Sequence, residues 1–321
     1  MKIVVLDGYV ANPGDLSWEG LASQGELVLY DRTAADQIVV RAADADAIFV
    51  NKVVITADII AKLPRLKFIG ELATGYNNID IAAAHAAGIT VCNVPGYSGD
   101  SVAQLVFAFI LAHCNKVNEY NASVWRGDWC RCPDFSYLLG PITELAGTTI
   151  GIYGLGNIGG KIAAIAHAFG MHVISSTSKP AEAIAPYVER VSFDQMLARA
   201  DFISINAPLS ASNRGLFGAE TICKMKPTAM LINTARGPIV DSAALAEALR
   251  QGVIAAAAVD VLDVEPPTAD NPLLAHDIAD RLIITPHIAW ESVAARQRLL
   301  AISASNLAAF IAGTPVNRVL P

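Results

Sequence analysis

The sequence is poor in charge, in basic clusters and in long apolar runs. Charged residues make up 17% of its 321 residues, and the formal net charge is -7. The basic residues are scattered and form no stripe, which argues against nucleic acid as a partner. No stretch approaches the roughly eighteen apolar residues of a membrane span, and the start, MKIVVLDGYV, is too short for a signal-peptide core. We therefore expect a cytoplasmic protein that does not bind membranes.

Cysteine is also scarce. The five cysteines are an odd number, and only Cys130 and Cys132, in WCRC, are closely spaced. A zinc site would need a second pair of ligands nearby, and none is present. We expect reduced thiols and no bound metal.

Apolar side chains, by contrast, are abundant. They make up 53% of the chain, which predicts a sizeable core, and the length favours two domains. Strand-length apolar runs alternate with helix-length stretches. The first series of runs is KIVVLD, GELVLYD, ADAIFVN, LKFIGELA and GITVCNV, and the second is TIGIYG, MHVISS, DFISINA, AMLINTA, AAAAVDV and RLIITP. This alternation predicts an α/β fold with two doubly wound parallel sheets.

Two further segments have the pattern of helices. The segment SVAQLVFAFILAHCNKVNEY predicts one long helix between the two series. Apolar residues near helical spacing from about Ser292 to Ala312 predict a C-terminal helix. Because it follows a completed sheet, we expect this last helix to return to the first domain.

A glycine-rich motif follows the first strand of the second series. Gly154, Gly156 and Gly159 form G-x-G-x-x-G between a β-branched strand and a helix-type segment. In that context the first glycine allows a tight turn, the second lets backbone N–H groups approach a pyrophosphate, and the third lets helix and strand pack closely. The helix N-terminus adds partial positive charge. The motif predicts dinucleotide binding.

The acidic residue that usually follows such a motif is absent. About 20 residues after the motif, an acid commonly binds the ribose 2′-hydroxyl of NAD. Here the strand end carries Thr177, Ser178 and Lys179. Two hydroxyls and a lysine can donate to a 2′-phosphate, whereas a carboxylate would repel it. This favours NADP(H), with NAD(H) possible; the alternative is a solvated loop that accepts either cofactor.

Three more segments place polar residues after predicted strands, where open α/β sheets bind ligands. They carry Arg236, then Asp260 with Glu265, then His287. An arginine can hold a carboxylate through its planar fork, and a histidine can exchange a proton near neutral pH. An enzyme that reduces a 2-oxo acid requires a cation for the carboxylate, a proton donor for the carbonyl oxygen and a hydride source. Spacing alone does not separate His287 from His276.

In this order, the segments GLGNIG, NTARG, AVDVLDVEPP and TPHIAW resemble the D-isomer-specific 2-hydroxyacid dehydrogenase family, and the similarity covers essentially the whole chain. The resemblance implies two Rossmann-like domains with a discontinuous substrate domain. Its parts would be residues 1–100 and 291–321, around a dinucleotide-binding domain at 101–290. Segments such as VVLDGYVANPGDLSWEGL and PHIAWES look most like the glycerate dehydrogenase or hydroxypyruvate reductase branch.

The resemblance also implies roles. Arg236 would bind the substrate carboxylate and carbonyl, Glu265 would support the histidine, and His287 would be the general acid. Backbone N–H groups at Thr74 and Gly75 would help to hold the carboxylate. The positions implied to contact the cofactor are Val102, Gly154, Gly156, Asn157, Ile158, Gly159, Thr177, Ser178, Lys179, Ala207, Pro208, Thr234, Asp260, which would lie near the nicotinamide carboxamide, and His287.

The expected reaction is reduction of hydroxypyruvate or glyoxylate to D-glycerate or glycolate with NAD(P)H. Two alternatives remain open from the sequence: a D-lactate-type dehydrogenase acting on pyruvate, and a dinucleotide-sensing binding protein similar to the family's corepressor members. The resemblance further implies a homodimer through the helix after residue 100 and the WCRCPDF segment. Trp125 and Trp129 could then be interface or core residues.

Overall fold

The computed structural model of the protein describes all 321 residues. The chain forms two compact units. One comprises Met1–Ser98 and Trp290–Pro321, and the other comprises Gly99–Ala289. The sequence interpretation drew these boundaries after residues 100 and 290. Each unit contains one parallel sheet, so the predicted fold class is confirmed.

Twelve strands build the two sheets. In chain order they are β1 Lys2–Val5, β2 Glu26–Leu29, β3 Ala47–Val50, β4 Phe68–Glu71, β5 Thr90–Cys92, β6 Thr149–Tyr153, β7 His172–Ser176, β8 Val188–Arg190, β9 Phe202–Ile205, β10 Met230–Asn233, β11 Ala256–Val259 and β12 Leu282–Ile284. The first unit has the order β2-β1-β3-β4-β5, and the second has β12-β11-β10-β9-β6-β7-β8.

Eleven α-helices accompany the strands. They are α1 Glu19–Ala22, α2 Ile38–Ala42, α3 Ala57–Ala61, α4 Ile81–Ala86, α5 Gly99–Asn115, α6 Val117–Trp125, α7 Asn157–Ala168, α8 Phe193–Arg199, α9 Ala219–Ile222, α10 Ser242–Arg250 and α11 Val293–Ile311. Short 3₁₀ helices lie at Ala35–Gln37, Trp129–Arg131, Ala181–Ala183, Gly237–Ile239, Pro272–Leu274 and His276–Arg281. None of the helices is both long and apolar enough to cross a membrane.

The core of the first unit lies on both faces of its sheet. Successive strand residues point to opposite faces, so Val4, Ile48 and Ile69 contribute to one apolar cluster and Phe68 to the other. Helix α11 packs in the second cluster, where the ring of Phe310 lies 5.1 Å from that of Phe68. Burying an aromatic side chain of this size contributes about 1.5–3 kcal/mol.

The second unit departs from the sequence interpretation in two places. Six strands were predicted, but the sheet has seven, because β8 adds an edge strand. Only Val188 of its three residues is buried, so the sequence carries no apolar run there. The predicted long helix is instead broken at Lys116, whose left-handed backbone (φ 50°) separates α5 from α6.

Candidate active site

The predicted functional residues of the second unit follow strands of one parallel sheet. Gly154 follows β6, Thr177 follows β7, and Ala207 follows β9, while Arg236, Asp260 and His287 follow β10, β11 and β12. Because these strands are parallel, their carboxyl ends lie at the same edge of the sheet. The strand order reverses between the neighbouring strands β6 and β9, and such a topological switch point is where open α/β sheets bind ligands.

The three motif glycines are each explained by their surroundings. Gly154 has a φ of 91°, and a Cβ added there would lie 2.7 Å from the backbone nitrogen of Ala207. A Cβ on Gly159 would lie 2.3 Å from the carbonyl oxygen of Gly154, so the helix could not approach the turn as it does. At Gly156 an added Cβ would meet nothing within 4 Å, which leaves open space beside the backbone. Gly154 and Gly159 are required by the fold, and Gly156 leaves room for a ligand.

The same sheet edge fits a dinucleotide. Helix α7 starts at Asn157, and its N-cap residue Gly156 gives it no side-chain cap, so N–H groups of its first turn are available to an anion. Two polar atoms nearby in the fold are buried without a hydrogen-bond partner, Thr234 Oγ1 after β10 and Asn206 Oδ1 after β9. Buried polar atoms are rarely left unsatisfied, so both have hydrogen-bonding capacity left for a ligand at this edge. The sequence interpretation included Thr234 but missed Asn206.

The loop after β7 contains the residues that replace the expected acid. Thr177 is half-buried, and Ser178 and Lys179 are exposed. The hydroxyl of Thr177 accepts a hydrogen bond from the backbone N–H of Lys179 at 3.2 Å, which forms a compact turn. The lysine ammonium therefore extends from a turn that contains no carboxylate.

The other predicted cofactor positions differ in exposure. Ile158 in the first turn of α7 and Ala207 are half-buried, and Pro208 is exposed. Val102 is buried within α5, with 4% of its surface exposed. Their contacts with a cofactor remain predictions.

His287 and Glu265 form a close pair. The Nδ1 atom of His287 lies 2.6 Å from Oε2 of Glu265, and the other carboxylate oxygen accepts the backbone N–H of Leu262 at 2.9 Å. With the carboxylate as acceptor, Nδ1 carries the proton and Nε2 is the nitrogen left for a substrate. His276, in contrast, is exposed at the start of a 3₁₀ helix. This pairing separates the two histidines, which spacing could not do.

Asp260 fixes the backbone that carries His287. Its Oδ1 accepts hydrogen bonds from the Thr285 hydroxyl at 2.6 Å and the Ile288 N–H at 2.9 Å, and its Oδ2 accepts the Ala289 N–H at 2.9 Å. Its carbonyl oxygen accepts the N–H of His287 at 2.8 Å. Burial raises the pKa of the Asp260 carboxyl, and these hydrogen bonds oppose that shift.

This anchoring explains an unusual backbone at His287. Its φ of 59° lies in the left-handed region, which non-glycine residues seldom adopt. The bonds from Asp260 to both sides of the histidine hold that conformation. The sequence interpretation missed this role of Asp260, because its partners lie 25 to 29 positions away. Its predicted position near the carboxamide remains a prediction.

The segment with Arg236 is joined to the one with Glu265. Asn233 accepts the Ala235 N–H at 3.1 Å and donates to the Arg236 carbonyl at 2.9 Å, which shapes the turn after β10. The next residue, Gly237, is in tight contact with the loop after β11: an added Cβ would lie 1.9 Å from the backbone of Leu262. Leu262 also donates to Glu265, so the arginine and the histidine pair are built on loops that contact each other.

The loop after β4 in the first unit contains Thr74 and Gly75. The Thr74 hydroxyl donates to the Val94 carbonyl at 2.8 Å, and the Thr74 carbonyl accepts from the Asn93 amide at 2.7 Å. The N–H groups of Thr74 and Gly75 have no partner within the chain. They are therefore available as donors, as the sequence interpretation requires of a carboxylate-binding loop.

Known proteins resemble this chain over its whole length. The NAD binding domain of the D-isomer specific 2-hydroxyacid dehydrogenases matches residues 107–289. A hydroxypyruvate reductase of Blautia hydrogenotrophica is 40% identical, with 99% of each chain covered. A glycerate dehydrogenase of Methylorubrum extorquens is 40% identical over 88% of each chain. The structure of an acyclic imino acid reductase with NADPH and D-Arg has a TM-score of 0.86 at 29% identity and covers both chains fully.

These similarities, together with the sheet-edge site, establish the class. The chain belongs to the D-isomer specific 2-hydroxyacid dehydrogenase family, and it is an oxidoreductase of that family.

Proposed function

We propose that this protein reduces a small 2-oxo acid, hydroxypyruvate or glyoxylate, to the D-2-hydroxy acid, glycerate or glycolate, with NAD(P)H. The observation that carries the proposal is the His287–Glu265 pair at 2.6 Å, on loops in contact with the Arg236 segment. This arrangement provides a positioned proton donor and a cation, which a carbonyl reduction requires.

When bound, the reduced nicotinamide supplies the hydride for the carbonyl carbon. His287 donates the Nε2 proton to the carbonyl oxygen, and Glu265 stabilises the imidazolium before that transfer and fixes its orientation. Arg236 holds the carboxylate and stabilises the negative charge that develops on the carbonyl oxygen. Asp260 keeps the histidine backbone in place throughout. The free N–H groups of Thr74 and Gly75 donate to the substrate carboxylate.

The choice of substrate rests on relatives. Two relatives that are each 40% identical to this chain are named hydroxypyruvate reductase and glycerate dehydrogenase, after the two directions of one conversion. A glyoxylate reductase of Aeropyrum pernix, 36% identical over 90% of this chain, supports the smaller acid as a second substrate. Both acids are small and carry a carboxylate beside the carbonyl.

We favour NADP(H) as the cofactor and expect NAD(H) to be accepted. The support is the turn of Thr177, Ser178 and Lys179, which offers hydroxyls and an ammonium where a carboxylate would repel a 2′-phosphate. The similar imino acid reductase binds NADPH. The family domain is described as NAD binding, which leaves NAD(H) as the alternative.

We also propose a homodimer in the cytoplasm. Exposed apolar side chains are concentrated between residues 117 and 142, including Trp125 at 83%, Phe135 at 91% and Leu138 at 77% exposure. Apolar surface of this extent is typical of an interface. Trp125 and Trp129 are therefore not core residues of the single chain.

All five cysteines are free thiols, in keeping with a reducing compartment.

An absorbance assay of NADPH or NADH oxidation, crossed with hydroxypyruvate, glyoxylate and pyruvate, tests the proposal. We expect the highest kcat/KM with hydroxypyruvate or glyoxylate. A preference for pyruvate would support a D-lactate-type dehydrogenase. No oxidation with any of the acids, despite cofactor binding, would support the dinucleotide-sensing alternative.

A further inference from the structure

Two acidic side chains are buried at the carboxyl edge of the first unit's sheet. Asp7 follows β1 and is 8% exposed, and Glu71 ends β4 and is 1% exposed. A buried carboxyl group is costly unless it is hydrogen-bonded or uncharged. The two groups satisfy this requirement in different ways.

The Asp7 carboxylate accepts three backbone hydrogen bonds. They come from the N–H groups of Asn51 at 2.8 Å, Lys52 at 2.5 Å and Val53 at 3.0 Å. Burial raises the pKa of Asp7, but these three bonds and the nearby charge of Lys52 oppose the shift. Asp7 thereby shapes the turn after β3.

Glu71 has far fewer partners. Its Oε2 accepts one hydrogen bond, from the side-chain amide of Asn78 at 3.0 Å, and its Oε1 is buried with no partner. No cationic side chain offsets its charge, and the charge that acts on it, that of Asp7, has the same sign. On the neighbouring strand β5, burial likewise raises the pKa of the Cys92 thiol, to about 11. Burial, with a smaller contribution from Asp7, raises the pKa of Glu71 to about 9.

The amide of Asn78 connects Glu71 to the turn after β3. The same nitrogen lies 3.1 Å from the Val53 carbonyl oxygen, and the Asn78 carbonyl accepts the Ile55 N–H at 2.8 Å. These hydrogen bonds therefore fix Asn78, which is the last residue of the loop 72–78. The other end is held by the Asn51 amide, which donates to the Leu72 carbonyl at 2.7 Å. Between these two ends lie Thr74 and Gly75, with their free N–H groups.

We propose that Glu71, as an uncharged carboxylic acid, is a positioning residue that holds Asn78 and thereby the loop 72–78 in the form that presents the Thr74 and Gly75 N–H groups. The value of this for catalysis rests on the proposed function, because it assumes that these donors bind the substrate carboxylate. Glu71 itself is buried and touches no substrate. An ionised Glu71 would add a buried negative charge that the charge of Asp7 opposes.

Hydrogen–deuterium exchange of the loop tests the proposal without turnover. At neutral pH, Glu71→Gln keeps an acceptor for Asn78 and carries no charge, so its exchange in residues 72–80 should match that of the wild type. Glu71→Ala and Asn78→Ala should each increase that exchange by about tenfold, with peptides of residues 99–289 unchanged. The control is Glu26→Gln, at an exposed position in β2. Unchanged exchange in both alanine variants overturns the proposal.

Stability against pH gives a second readout. Because the pKa of Glu71 is raised from 4.5 to about 9, the folded chain binds a proton that the unfolded chain has lost between those values. Folding stability therefore falls as pH rises through that window. Glu71→Gln removes this dependence, so its Tm should exceed that of the wild type by a margin that grows from about pH 6 to about pH 8. A margin that does not grow contradicts an uncharged Glu71.

Kinetics then connects the loop to the substrate. In Glu71→Ala, KM for hydroxypyruvate should rise about tenfold with a much smaller change in kcat, and Glu71→Gln should restore KM. Altered exchange together with an unchanged KM would contradict the role in substrate binding. If the wild type reduces none of the acids, the proposed function fails, and the exchange experiment still decides whether Glu71 positions the loop.

Discussion

His287 and Glu265 are joined by a 2.6 Å contact between Nδ1 and Oε2, although 22 positions separate them in the sequence. The carboxylate is anchored in turn by the Leu262 N–H, and the histidine backbone by Asp260. The His287 imidazole is thus oriented by two independent sets of contacts.

The carboxylate of Glu265 should be necessary for fast turnover. In Glu265→Gln the charge that stabilises the imidazolium is lost, so we expect kcat to fall by about a hundredfold while cofactor affinity stays within about threefold. Steady-state kinetics with hydroxypyruvate and titration of NADPH fluorescence measure the two effects. Glu220→Gln, at an exposed position in α9, is the matched control. An unchanged kcat in Glu265→Gln would show that the pair is not part of the catalytic machinery.

Asp260 should be required for both stability and activity. Asp260→Ala leaves the half-buried Thr285 hydroxyl and two N–H groups without their acceptor, so we expect a loss of about 1–3 kcal/mol in the free energy of unfolding. Because the His287 backbone is then free to leave its left-handed conformation, kcat should also fall. Urea denaturation and kinetics check the two effects, with the exposed Asp270→Asn as control. A folded variant with wild-type kcat would rule out the positioning role.

The turn after β7 should set the cofactor preference. Lys179→Ala removes an ammonium that can contact a 2′-phosphate, and Thr177→Asp adds a carboxylate that repels it. We expect the ratio of kcat/KM for NADPH to that for NADH to fall about tenfold in each, since one charged contact contributes about 1.5–3 kcal/mol. Lys224→Ala, an exposed lysine that pairs with Asp194, is the control. A wild-type enzyme that strongly prefers NADH would refute the assignment.

The apolar surface between residues 117 and 142 should hold the dimer together. Phe135→Asp and Leu138→Asp place charges in that surface, so analytical ultracentrifugation should show the dimer of the wild type shift toward monomer. Leu274→Asp, at an exposed leucine outside the segment, should leave the dimer intact. A wild-type chain that sediments as a monomer at micromolar concentration contradicts the proposal.

The strand ends could be predicted because they depend on local sequence. Parallel strands read as short apolar runs, and the polar residues just after them fall at one sheet edge whatever the details of packing. This is why Arg236, Asp260 and His287 were expected at the carboxyl ends of strands, where open α/β sheets bind ligands. The glycine motif was informative for the same reason, since Gly159 packs against Gly154 of the same turn, whereas the contact of Gly154 with Ala207 is long-range.

The remaining features depend on contacts between distant residues. The carboxylate oxygens of Asp260 accept hydrogen bonds from residues 25 to 29 positions away, and the local sequence pattern does not reveal these bonds. In the sequence, Glu71 looks like an ordinary acidic residue at the end of a strand. Its burial depends on the tertiary packing around it, which the local sequence does not show. The break at Lys116 was missed since the apolar pattern continues across it, and a left-handed residue leaves little trace in composition.

The most direct test of the account is the turnover of a His287 variant that keeps the backbone conformation. Asparagine tolerates the left-handed region better than alanine does, so His287→Asn, compared with His287→Ala, separates loss of the proton donor from backbone strain. We predict that both variants bind NADPH within about threefold of the wild type and that kcat for hydroxypyruvate falls at least a hundredfold, to roughly 10² to 10⁴ below the wild type. A His287→Asn enzyme with kcat near the wild-type value would contradict the assignment of His287 as the proton donor.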